Sequence, residues 1–313
     1  MKAAVVTSFD HPPRYSDIAD PVPDGPDEIL VDVLAAGLHH VTRGRASGAH
    51  YSSGTALPLI PGIDGVGRGP DGTLRYFVQG PGMAGSMAQK TVIDRARSIA
   101  LPGDCDPVAL AAAMNPGMAA WLALRCRVPF QAGQKVLILG ATGSSGSMAV
   151  QIARHLGAAQ VIAAGRDEHK LAALPALGAT DTVPLGDPRL GTLARDVDVV
   201  LDFVWGDVAM RCMEAVLKQR TDRGLPLAWI HVGSMAGETA ALPGMFLRAA
   251  NVQIVGSGLG SVSDRAILAE LPALALEIAR GTFQLDVQAV PLAEVEKAWS
   301  DPARGGGRIV FTP

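Results

Sequence analysis

Apolar positions along the chain follow two rhythms, which change near Gly117. Before it they come in short segments cut by Gly and Pro. KAAVVT (2–7) and EILVDVLAAGL (28–38) read as strands, β-branched and bounded by turn residues such as Pro21, Pro23, Gly25 and Pro26. MAQKTVI (87–93) reads as a further strand, and LPLIPGIDGVGRGPDG (57–72) is dense in turn residues. This half predicts a mostly β domain. The apolar stretch 107–124 is interrupted by Asn115, Pro116 and Gly117, which predicts a break there and argues against a membrane span.

After Gly117 strands alternate with helices. AAWLALRC (119–126) has helical spacing, and QKVLILG (134–140) reads as a buried strand. The next helix, 145–156, places Met148, Ile152, Ala153 and Leu156 on one face. QVIAAG (160–165) is a strand, and DEHKLAALPALG (167–178) a helix interrupted by Pro175 and ended by glycine. DVVLDFV (198–204), a helix near 207–219 and PLAWIHVG (226–233) continue the alternation. Such a pattern predicts right-handed βαβ units and a parallel sheet. The tail holds one or two helices over 264–280 and a final strand, RIVFT (308–312), and is expected to pack back on the first domain. The reading is an α/β chain with domains 1–118, completed by 259–313, and 119–258.

Composition narrows the function classes. Of 313 residues, 48% are apolar and 18% charged, which excludes disorder by low hydrophobicity. Lys and Arg number 27 against 30 Asp and Glu, so the net charge of −3 offers no basic excess; neither nucleic acid nor an anionic membrane is an expected partner. The three cysteines are far apart and no Cys/His cluster occurs, so neither a disulfide framework nor a structural zinc site is expected. The start shows no signal-peptide core. A soluble, cytoplasmic protein is expected.

The strongest chemical signal is VLILGATGSSGSMAVQIARHLG (136–157). A strand runs into Gly140, Gly143 and Gly146 and then directly into a helix whose first turn carries Ser144, Ser145 and Ser147. Such a turn needs glycine where a Cβ would block a phosphate, and the helix offers free N–H groups and its positive end to an anion. An ordinary βα turn is the alternative; the strand before, the helix after and the following βαβ unit favour a dinucleotide. The second strand bears on which one. NAD sites place an acid about 20 residues past the glycines. Here the strand ends at Gly165, followed by Arg166, with Lys170 a turn further on. Two cations there suit a 2′-phosphate, although Asp167 and Glu168 stand one register away, and a solvated helix start is the plain alternative.

At this point the chain resembles a family: the zinc-independent medium-chain dehydrogenases/reductases of the quinone oxidoreductase-like branch. The likeness runs through KAAVV, AAGLHHV, PLIPGIDGVG, AAAMNPGMAAWLAL, GATGSSG, GRDEHKLAALPALGA and GGGRIVF. It implies a β-rich, GroES-like domain completed by the C-terminal segment, a Rossmann domain, an active site in the cleft between them, and a homodimer. It also implies NADPH-dependent reduction of a small-molecule quinone or activated carbon–carbon double bond. Asn115 and Ala119 fall where the family approaches the nicotinamide, the second usually Thr. Thr142 to Gly146 would take the pyrophosphate. Val204, Val232, Gly233 and Ser234 would line the ribose and nicotinamide, and Arg308 stands where the family has a Lys reaching the phosphates. Near Pro184 and Leu185 the Tyr that related reductases place beside the 2′-phosphate is missing.

Zinc-dependent relatives carry Cys where this sequence has Leu38, and Gly-His-Glu where it has Gly62, Ile63 and Asp64. No metal is therefore expected. His39 stands at the family's Asn. His39, His40 and Tyr51 are the catalytic candidates, with Asp64 read as a turn or strand-end residue. A histidine with a pKa near 6.5 would donate the proton that completes a reduction. Adjacent histidines on a strand would face opposite sides. Enoyl-thioester reduction, or a catalytically silent NADPH-binding sensor, remain alternatives.

Overall fold

The computed structural model describes residues 1–50, 53–80, 82–258, 260–300 and 307–313. It divides into two units: 1–115 with 268–313, and 116–267.

The first unit opens with strands β1 (Lys2–Val5) and β2 (Arg14–Asp17), paired antiparallel. Strand β3 (Glu28–Gly37) buries Ile29, Val31, Val33 and Ala35 on one face, the alternation of a half-covered strand. Helix α1 (His40–Ala46) follows, then β4 (Asp64–Arg68), β5 (Leu74–Val78), β6 (Lys90–Asp94) and β7 (Ser98–Ala100). Strand β4 lies inside the stretch that reads as turns. Its glycines serve close approach instead: a Cβ on Gly65 would stand 2.9 Å from the Ala35 carbonyl oxygen, and one on Gly67 2.9 Å from that of Asp32.

Helix α2 (Pro107–Leu122) runs without interruption through Asn115, Pro116 and Gly117 and continues as a π-helical turn, Ala123–Arg127. This corrects the predicted break. Proline removes one hydrogen bond from a helix interior, but Leu110 to Met114 and Met118 to Leu124 bury on nearly every side, and that burial outweighs the local loss. By length and composition this helix could cross a membrane, yet 72% of its most apolar window is buried inside the protein. Between Leu110 and Leu124 only Asn115 and Ala119, four residues apart on one stripe, are not buried.

The second unit is a parallel sheet covered by helices. In chain order it comprises β8 (Lys135–Leu139), α3 (Ser144–His155), β9 (Gln160–Gly165), α4 (Glu168–Ala173), β10 (Asp181–Pro184), α5 (Arg189–Leu193), β11 (Val199–Asp202), α6 (Gly206–Gln219), β12 (Leu227–His231), α7 (Gly244–Ala249) and β13 (Val252–Gly256). The strand order is β10-β9-β8-β11-β12-β13, parallel throughout. The order reverses between β8 and β11, and it is at such a switch point that open α/β sheets bind ligands. Central strands are apolar on both faces because helices cover both. Leu137, Leu139, Ile162, Val200, Met213, Val216 and Trp229 belong to one core cluster.

Helix α8 (Asp264–Ala279) leads back to the first unit, where β14 (Val287–Pro291), α9 (Val295–Ser300) and β15 (Arg308–Thr312) complete the sheet. Its order is β14-β15-β3-β4-β5-β7, with β6 on β3; β14 and β15 are parallel and the other pairs antiparallel. The fold is thus a GroES-like β-rich unit and a Rossmann unit.

Candidate active site

The glycine-rich turn closes the carboxyl end of β8. Gly140 has φ +89°, which only glycine adopts without strain, and a Cβ there would also meet Val204 at 3.2 Å. Gly146 packs helix against strand: its Cβ would stand 2.2 Å from the Gly140 carbonyl oxygen. Gly143 is different. Its backbone is ordinary (φ −85°, ψ 164°), and the nearest protein atom to an added Cβ lies 3.6 Å away. Nothing in the protein demands glycine there, whereas an anion docked on the turn would. Gly143 is the N-cap of α3, so by helix geometry the N–H groups of Ser144, Ser145 and Gly146 have no intrahelical acceptor. Ser147 N–H already donates to the Gly143 carbonyl at 2.8 Å. A helix end of this kind, with free N–H groups and the positive end of the helix, suits an anion.

The other nominated residues of this unit assemble along the same edge. A Cβ on Gly165 would meet Thr142 Oγ1 at 2.9 Å, so the ends of β8 and β9 abut. A Cβ on Gly233 would stand 3.3 Å from the Phe203 carbonyl oxygen, next to Val204. Arg166 and Lys170 are exposed, and no hydrogen bond or ion pair engages either side chain among the described residues. Asp167 accepts the Lys170 N–H at 3.0 Å and caps α4, so the nearest acid is committed to the helix. Val232 and Ser234 are partly buried at the end of β12. Sequence reasoning missed Asp202, Trp205 and His231 on this edge; the available signal was an Asp closing an otherwise apolar strand.

Inside the first unit the catalytic candidates have another setting. His39 is 2% exposed and precedes α1 rather than lying on a strand; His40, the first residue of α1, is exposed. His39 Nε2 lies 2.6 Å from Asp64 Oδ1, and the Tyr76 hydroxyl donates to Asp64 Oδ2 at 2.7 Å. Arg308 Nη2 donates to His39 Nδ1. A guanidinium has only donors, so Nδ1 accepts and Nε2 carries the hydrogen given to Asp64. The result is a buried chain, Arg308–His39–Asp64–Tyr76, joining β15, the start of α1, β4 and β5. Asp64 is the first residue of β4, the strand-end position expected of it, and is fully buried as the hub of this chain.

Burial, with the Arg308 charge beside it, holds the His39 pKa below its ordinary value, although Asp64 opposes this. His39 is therefore neutral near pH 7, unlike the titrating histidine expected of it. Burial brings the Arg308 pKa down to about 10 and raises that of Tyr76 well above its usual range. Partial burial and the charges of Arg308 and Arg43 lower the His40 pKa as well. Tyr51 lies outside the described residues. Among the described residues no group of three His, Cys, Asp or Glu is set to hold a metal.

Comparison with known proteins gives consistent kinships. The zinc-binding dehydrogenase family matches residues 146–275. A probable NADPH-dependent quinone reductase of Emericella nidulans is 33% identical over 360 aligned positions, covering all of both chains. An NADPH-dependent alkenal/one oxidoreductase of Arabidopsis thaliana is 27% identical over 201 residues, 57% of this chain and 50% of that one. Among solved structures, the quinone oxidoreductase from Thermus thermophilus, determined also in complex with NADPH, superposes with a TM-score of 0.85 at 25% identity over the whole of both chains.

Proposed function

The chain belongs to the quinone oxidoreductase-like medium-chain dehydrogenases/reductases, and from that premise we propose that it transfers hydride from NADPH to a quinone or to the activated double bond of an enone, with no metal in the step. It is an oxidoreductase that uses NADPH and acts on a small molecule. The observation that carries the reading is the open Gly143 at the head of α3, supported by Arg166 and Lys170 after β9, whose side chains have no partner among the described residues.

Ser144, Ser145 and Gly146 would receive the diphosphate on their N–H groups, with Thr142 alongside. Arg166, and Lys170 as a point charge, would pair with the 2′-phosphate at the end of β9. Val204, Val232, Gly233 and Ser234 would border the nicotinamide. Bound NADPH supplies the hydride. We assign Arg308 to the scaffold: its guanidinium holds His39 through Nδ1 instead of reaching phosphate.

Leu38 and Ile63, at the places where the family resemblance puts a Cys and a His in zinc-dependent relatives, support metal independence. With no Lewis acid and a neutral, internally bonded His39, nothing assigned to the site polarises an isolated carbonyl. The acceptor must then delocalise the incoming charge itself, as quinones and enones do. His40 is exposed and is the remaining histidine able to give a proton. Steady-state turnover of His40→Ala tests this. An enone, whose product is protonated on carbon, should lose turnover while a quinone keeps it. Equal rates on both acceptors, before and after substitution, would remove His40 from the reaction.

A further inference from the structure

Among the described residues Trp205 is the one non-glycine with a left-handed backbone, φ 52° and ψ −164°. A bulky side chain is strained there, and glycine would not be. Such strain persists when the surroundings over-determine the conformation, and it concentrates at functional sites.

The surroundings here are specific. Asp202, fully buried at the end of β11, accepts the Val204 N–H at 2.8 Å and the Trp205 N–H at 2.9 Å on Oδ1, and the indole N–H of Trp229 at 2.9 Å on Oδ2. The loop after β12 is laced to the same turn: Val232 and Gly233 donate to the Asp202 carbonyl, Met235 to that of Phe203 and Ala236 to that of Val204, over 2.7 to 3.2 Å. The Trp205 ring lies on the His231 ring with centroids 4.4 Å apart and planes inclined by 54°. His231 Nε2 in turn is 3.3 Å from Ser234 Oγ.

Trp205 therefore couples two loops. Through its backbone it fixes Val204, which borders Gly140 at the mouth of the glycine-rich turn; through its ring and His231 it fixes Ser234. The 2′-phosphate partners stand at the end of β9, on one side of β8. A dinucleotide crossing the switch point carries its other half over β11 and β12. We propose that Trp205 is a positioning residue for the nicotinamide half of the cofactor, acting through Val204 and Ser234. The proposal rests on the NADPH reading of the glycine-rich turn.

Three variants test it, with NADPH binding, NADPH KM, kcat on a quinone, Tm and the kinetic isotope effect of 4-deuterated NADPH as readouts. Trp205→Gly relieves the backbone and deletes the stack; it should raise the NADPH KM about tenfold and change the isotope effect, in line with loss of one aromatic contact. Trp205→Phe keeps a ring on His231 and should stay within about twofold of the parent by the same reasoning. His231→Leu leaves the strained residue in place and removes its ring partner; it should shift KM in the same direction, and it carries the test if Trp205→Gly does not fold. Unchanged KM and isotope effect in Trp205→Gly or His231→Leu would overturn the proposal. So would a Trp205→Phe as impaired as Trp205→Gly with a matching fall in Tm, because Trp205 would then be packing alone. A parent protein that does not bind NADPH would overturn the cofactor reading and this inference together. A parent that binds NADPH and loses that affinity in Arg166→Ala, with KM and isotope effect unchanged in Trp205→Gly, would overturn this inference only.

Discussion

Two arginines in this chain meet opposite surroundings. Arg166 stands exposed at the carboxyl end of β9, with no partner holding its guanidinium among the described residues and its neighbouring acid committed to capping a helix. Arg308 is drawn into the first unit, donates to His39 and forms the positive end of a chain of side chains in which Asp64 supplies the carboxylate. Both carry a positive charge, yet one is available to a ligand and the other is taken up by the fold. Availability is what separates a binding cation from a structural one. The glycines divide in the same way: Gly146 is required by the protein's own backbone, whereas Gly143 is required by nothing in the protein.

The strongest break of this comparison is Asp64→Ala. Removing the carboxylate strips the His39 and Tyr76 donors of their buried acceptor and takes a nearby negative charge from the half-buried Arg308. Each buried donor left unsatisfied costs about 1–3 kcal/mol. Denaturant unfolding should register that loss, and wild-type stability would show that the buried chain does not hold the fold. Gly143→Val and Gly146→Val sharpen the glycine contrast. The first should keep native circular dichroism and lose NADPH affinity; the second should disturb folding, since its side chain meets the Gly140 carbonyl. If both variants fold and bind alike, the distinction is wrong.

Arg166→Ala should weaken NADPH about ten- to hundredfold, the size of a lost charge-assisted hydrogen bond, and leave NADH nearly unaffected. Equal losses with both cofactors would return Arg166 to the fold. The smallest effect is in pH dependence. His39 has a depressed pKa in the folded protein, so between that value and about 6.5 the unfolded chain binds the extra proton. This contribution to stability is full above about 6.5 and declines as pH falls. His39→Gln should flatten that slope in urea titrations across pH 5 to 8, and an unchanged slope would assign the dependence to other groups.

Most of the Rossmann unit was legible because its signals are local. A strand apolar on both faces, three glycines at fixed spacing and a helix starting within the same turn determine one another; β9 matches the sequence reading at both ends, as does β15 in the first unit. Helix α2 was misread at Pro116 because a local breaker was weighed without the burial around it. Strand β4 was hidden because Gly65 and Gly67, which permit strand-to-strand approach, look like turn glycines in a sequence. The buried chain was illegible for a related reason. His39, Asp64, Tyr76 and Arg308 are distant in sequence, and only the antiparallel pairing of β15 with β3, β3 with β4 and β4 with β5 brings them together. Of the candidate site, the glycine-rich strand–turn–helix could be read from residues alone, whereas the protonation state of His39 required knowing what surrounds it.

The central claim is hydride transfer from NADPH to a charge-delocalising acceptor without a metal. The most direct measurement follows NADPH oxidation by the chelator-treated protein with one quinone and one enone, alongside ethanol oxidation with NADP as a control. The account predicts turnover on the quinone and the enone at rates equal to those of untreated protein, and none on ethanol. Loss of activity on chelation that zinc restores, or efficient oxidation of ethanol, would contradict it.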